Sequence, residues 1–141
     1  MRAAPLTRRN PASPSGDRRG LAATEFAVAL PVVLMLVLGS IEVSNFIHLK
    51  QATTVAAYET ALSATGTSAT SAAAITRGNA VLTAFGVVGG TVTVSPTVTT
   101  TTTAGTDVTV TVTVPADSNQ ISPAWFVGGK TLTTVITMVR L

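Results

Sequence analysis

Glu25 is the only charged residue between Arg19 and Glu42, and its surroundings read LAATEFAVALPVVLMLVLGSI. A carboxylate at the centre of a bilayer costs about +2.5 to +3.5 kcal/mol, less near the interface. Two explanations stand open. Glu25 marks the headgroup edge of a membrane helix, or it has a charged partner. The sequence offers one: Arg18, Arg19 and Gly20 stand just before the run. If the peptide bond after Gly20 is cut, Leu21 becomes the first residue and Glu25 the fifth. The new α-amino group is then a cation entering apolar surroundings, where a buried charge has to be paired. The Glu25 carboxylate of a neighbouring copy would neutralise it.

Other chemistry has little support. Beyond Gly20 the acids are Glu25, Glu42, Glu59, Asp107 and Asp117, none paired at helical or strand spacing. A Ser or Thr nucleophile needs a base, and His48 is the only histidine. Zinc needs several ligands. The chain has no cysteine, which excludes disulfides and thiolate sites. The segment GVVGG, residues 86–90, lacks the lysine and Ser/Thr of a phosphate loop. Asp107 and Asp117 fall short of the six to eight oxygens calcium takes and suit turns instead. Neither an enzyme nor a cofactor is expected.

The elements around Glu25 follow from composition. Only 11% of the residues are charged, against about 25% in ordinary soluble domains. Arg2, Arg8, Arg9, Arg18 and Arg19 crowd the first 20 positions. Residues 21–141 carry only Lys50, Arg77, Lys130 and Arg140 against their five acids. Nucleic-acid binding needs a basic cluster on the folded surface, and the body has none. Phe26 to Ile41 is free of charge and spans about 24 Å as a helix, short of a bilayer core of about 30 Å. Extension toward Leu49 requires including Glu42, which gives a membrane segment of about 26–47. A secretory signal peptide is the rival, with poor cleavage patterns near Gly39–Ile41. Arginines before the run suit either reading.

Residues 1–20 form a basic leader whose first part holds Pro5, Pro11 and Pro14 and cannot build a core. A helix is expected over 21–65, with Ile41, Phe46, Ile47, Val55, Tyr58 and Leu62 recurring at helical steps. Pro31 removes one hydrogen bond and would kink it. Residues 67–71 read as a loop and 72–85 as a second helix. Ala73, Ile75, Ala80, Leu82 and Phe85 are its candidate core contacts, and Gly78 is unexplained. The period then falls to two: TVTVSPTVTTTT (91–102) and DVTVTVTV (107–114) read as a hairpin turning at Ala104–Thr106. Pro96 implies an edge or a break. Val108, Val110, Val112 and Val114 should face inward and the threonines outward. Residues 115–130 are a turn-rich loop carrying Trp125 and Phe126, a candidate partner contact or a cover for the sheet. Residues 131–141 read as the last strand, with Leu132, Ile136 and Met138 on one face.

Arg18-Arg19-Gly20 followed by Leu21-Ala22-Ala23-Thr24-Glu25-Phe26 resembles the type IV prepilin cleavage motif. Residues 18–62 more closely resemble the TadE-like family of the tight-adherence (Tad/Flp) pilus system. The likeness rests on Arg19-Gly20, Glu25-Phe26-Ala27, Leu30-Pro31, Leu38-Gly39, Ile41-Glu42 and Gln51-Ala52 with Ala56-Ala57. The family's usual Arg-Glu after the double alanine is Tyr58-Glu59 here, and the tail through Leu132, Met138 and Arg140 resembles its last strand.

The resemblance implies an α+β fold. A long N-terminal membrane-spanning helix precedes a small domain, 66–141, with one short helix and about three antiparallel strands. It implies a minor pilin or pseudopilin cut between Gly20 and Leu21 by a prepilin peptidase. Glu25 and Phe26 would lie in the interface with other pilin or pseudopilin subunits. The setting would be the bacterial inner membrane, single pass, with the C-terminal domain outside the cytoplasm or carried into a surface pilus. The alternatives are an uncleaved, single-pass membrane-anchored binding domain, and a protein freed by signal peptidase near residues 39–41. No nucleic-acid partner is expected.

Overall fold

A computed structural model describes residues 15–121 and 128–141, with side chains from residue 20 onward. Helix α1 runs Ser15–Thr65 and passes through Pro31 without a break. It starts six residues before Leu21, where the sequence suggested a beginning. Between Pro14 and Pro31 nothing stronger than Gly20 opposes a helix, and a glycine costs only about 1 kcal/mol there. Helix α2 is Ser71–Ala84. Strands β1 (Thr91–Ser95), β2 (Asp107–Pro115) and β3 (Thr131–Val139) form one antiparallel sheet in the order β1-β2-β3. A 3-10 turn, Asp117–Asn119, follows β2. The chain divides into two units, Met1–Val37 and Leu38–Leu141.

In the first unit, every residue from Gly20 to Val37 is exposed. The second unit is the α+β body. Val108, Val110, Val112 and Val114 are fully buried on the inner face of β2, as the alternation of Val and Thr requires. On the outer face, Thr113 lies between Thr91 and Thr133, and Thr111 between Thr93 and Val135. The first strand is shorter than the sequence suggested. It stops at Ser95 because Pro96, joined through a cis bond, has no N–H to continue a ladder. Residues 96–106 instead form a loop. Val98 is buried in it, and the loop is fastened to α2: Val98 N donates to Ser71 Oγ at 2.7 Å and Ser71 N to Val98 O at 2.9 Å.

The inner face of α1 inverts the simple apolar-stripe expectation. Leu49, Ala52, Ala56, Ala57, Ala61 and Ala64 are buried, with Phe46 partly covered. Ile47, Val55, Tyr58 and Leu62 are exposed. Small residues let α1 lie close to the sheet, and the large side chains of the helical pattern are left on the opposite face. Thr53 and Thr60, also fully buried, satisfy their hydroxyls on the carbonyls of Lys50 and Ala56.

Helix α2 begins at the N-cap Thr70, whose side chain accepts from Ala73 N. It ends in a Schellman motif: Val87 N donates to Leu82 O and Gly86 N to Thr83 O, with Gly86 at φ +72°. Its buried face is Ala74, Gly78, Val81 and Leu82, with Ile75 and Phe85 packed partly against the core. Ala73 and Ala80, expected inside, are exposed. The face is set by Gly78, where α2 comes closest to its neighbours.

The C-terminus closes the body. Leu141 N donates to Thr65 O at 3.0 Å, and Arg140 Nη2 to Thr67 O at 3.3 Å. Arg140 is 3% exposed. Its cation sits at the exit of α1, where the helix presents partial negative charge. Replacing Arg140 by alanine removes that cation, its hydrogen bond and its packing. The expected loss is about 2 kcal/mol, read as a lower melting temperature of the detergent-solubilised chain, with Arg140→Lys recovering part of it.

Candidate processing and assembly surface

Leu21 and Glu25 are four residues apart on α1 and share one face, together with Thr24, Val28, Ala29, Val32 and Val33, which line a shallow apolar groove. Residues at this spacing are neighbours on a helix surface. The Glu25 carboxylate therefore lies in a stripe of aliphatic side chains. Phe26 projects from the next position and is 65% exposed. Around Gly20, the place a Cβ would occupy has no atom within 4 Å. Among the described residues no packing contact explains the glycine, and the Gly20–Leu21 bond lies inside helix. Thr24 Oγ1 donates to Gly20 O at 2.9 Å, over the same turn.

The exposed stretch of α1 from Gly20 to Val37 is about 27 Å long as a helix, against a bilayer core of about 30 Å. Within α1, an 18-residue window reaches a mean hydropathy of 2.4 with only 6% of it buried. That low burial separates it from the core helix of a soluble protein and gives the chain one N-terminal apolar helix suited to a single-pass anchor. From Leu38 onward α1 belongs to the body: Leu38 and Gly39 are half-buried and Glu42 is buried.

A second apolar surface lies further along α1. Val43, Ile47, Val55, Tyr58 and Leu62, each 40–58% exposed, fall on one side of the helix, opposite the alanine seam. The sequence named four of these residues, but only the structure separates them from the packing face. Glu59, beside Tyr58, is paired with Arg77 of α2 at 3.0 Å, a surface ion pair worth little stability.

Sequence reasoning missed the joint between α1 and the loops. Asn119 Oδ1 accepts from Val88 N at 2.7 Å, and its Nδ2 donates to Val88 O and Pro115 O. Its backbone carbonyl accepts from Asn45 Nδ2 at 2.8 Å. His48 lies beside it, its Nε2 3.3 Å from Phe85 O and its ring tilted against Phe85. An asparagine in a turn-rich loop gives no sign of which distant backbone it will pair with. Trp125 and Phe126, the proposed partner contact, lie outside the described residues.

Neither a curated protein nor a solved structure matches the chain. The family model of TadE-like proteins matches residues 20–62, and the chain is similar to that family over this segment.

Proposed function

We propose that the chain is a minor pilin or pseudopilin of a Tad-type pilus, made as a precursor and cut between Gly20 and Leu21 by a prepilin peptidase. The α1 segment then holds the mature protein in the inner membrane, with the body outside the cytoplasm, until it joins other subunits. The membrane segment, expected at about 26–47, takes its outer limit where α1 starts packing on the body, between Leu38 and Leu49. The observation that carries this reading is the position of Glu25. It is one carboxylate in an exposed apolar stripe, four residues beyond Leu21 and five beyond a glycine that packing does not require. The outward stripe from Val43 to Leu62 supports the same function, because it leaves a second apolar surface of α1 exposed to other subunits.

N-terminal sequencing of the protein from cells with and without the peptidase tests the proposal. The mature chain should begin at Leu21 only when the peptidase is present. A start at Met1 in both strains, or near residue 40, overturns it. Gly20→Ala sharpens the test. The site has room for a methyl group, and alanine favours the helix by about 1 kcal/mol, so folding is unharmed while uncut precursor accumulates. The rival, an uncleaved anchored binding domain, draws on the continuity of α1 from Ser15 through Gly20. It predicts no response to either manipulation.

A further inference from the structure

We infer that the free edge of β3 pairs with the β1 edge of a second copy of this chain, so that the sheet continues from subunit to subunit. Among the described residues no strand lies beyond β1 or β3, and no backbone hydrogen bond outside the ladders engages residues 91–95 or 131–139. Edge strands are usually blunted by charge, proline or bulges, and by shortness. β3 has nine residues, TLTTVITMV, without a charge, proline or glycine. Of its inner side chains Leu132 is buried, but Thr134, Ile136 and Met138 are only half-buried, whereas the inner valines of β2 are fully buried. The core is therefore open along β3 from Thr134 to Met138.

The partner strand follows from direction and pattern. β1 and β3 both run antiparallel to β2, so they run parallel to each other. A copy displaced sideways without reversal offers its β1 to β3 in parallel register. Val92 and Val94 would then continue the inner face, and Thr91, Thr93 and Ser95 the outer face of Thr133, Val135 and Thr137. Pairing of β3 with another β3 in one sheet needs a two-fold axis normal to that sheet. That axis would reverse α1, whose Leu49–Ala61 stretch packs on the inner face. Helices anchored in one membrane cannot point opposite ways, and this choice of strand rests on the membrane-anchored reading. A head-to-tail contact of this kind propagates a filament unless its rotation closes into a ring.

The test uses full-length chains in native membranes, where the absence of cysteine makes engineered thiols unambiguous. Chains carrying Thr93→Cys are co-expressed with chains carrying Val135→Cys and oxidised. A disulfide dimer joining the two variants is expected. Within one chain these positions are two strands apart, about 9–10 Å, beyond the roughly 7 Å limit of a disulfide. Thr111→Cys on the central strand should give no dimer with Val135→Cys, and adding the edge charge Thr133→Lys should reduce the Thr93–Val135 dimer to that background. Absence of the Thr93–Val135 dimer, or a dimer of Val135→Cys with itself, overturns the proposal. If the same sample begins at Leu21, the failure belongs to the sheet contact and the pilin reading stands.

Discussion

Glu25→Ala should leave the chain in the membrane and exclude it from assembled pili. Glu25 is exposed on α1 and lies in a different unit from the body, so the body's fold does not depend on it. Removing a carboxylate from an apolar run makes insertion easier, not harder. The loss appears only when subunits meet. In the proposed processed form, the Leu21 α-amino group enters an apolar bundle and needs an anion from the adjacent copy. Removing one partner of a buried pair costs about 3–5 kcal/mol, because the other charge remains unpaired. That corresponds to roughly two to four orders of magnitude in incorporation. Glu25→Gln separates charge from shape: the amide fills the same space but cannot neutralise an ammonium group, so it should fail almost as badly. Immunodetection of the chain in sheared pili against the membrane fraction measures the effect. Unchanged incorporation of both variants would remove the pairing.

The parts of the fold that depend on period and charge were legible. The valines of β2 alternate with threonine, and one face is buried. The apolar run from Phe26 lies in a long helix whose residues 20–37 are all exposed. What the sequence hid lies in contacts between elements. Apolarity on a helix does not say which face turns inward when both are apolar. Ile47, Val55, Tyr58 and Leu62 carry most of the hydrophobic signal, yet Ala52, Ala56, Ala57 and Ala61 make the core contacts. The alanines prevail because the sheet's own side chains are valines that fill little depth, so α1 must come close. Ser95 ends β1 and Asn119 locks the loops for reasons that are local once seen but depend on partners distant in sequence. In the sequence Arg140 is one of four scattered basic residues and part of a resembling tail. Its burial at the end of α1 follows from where β3 stops, which no residue type signals.

Gly78 is where that closeness is most demanding, and it supports the second large effect. A Cβ added there would collide with Thr60 Oγ1 of α1 and lie 3.1 Å from Val92 Cγ1 of β1. Thr60 is fully buried and its hydroxyl donates to Ala56 O at 2.6 Å, so it cannot turn aside without giving up that bond inside the core. On an isolated helix, Gly78→Ala would gain about 1 kcal/mol. In this body the overpacking reverses the sign, and a net loss of about 1–3 kcal/mol is expected. Gly78→Leu should unfold the body outright. A double-mutant cycle assigns the cause. Thr60→Ala removes the atom that the new methyl group strikes, so the Thr60→Ala/Gly78→Ala chain should be more stable than the sum of the single losses predicts, by at least about 1 kcal/mol. Thermal unfolding of the four chains in one detergent reads the coupling directly. Additive losses would mean that α2 does not seat its glycine on Thr60. The alanine and glycine seam would then no longer explain why the large side chains of α1 face outward, where another subunit could reach them.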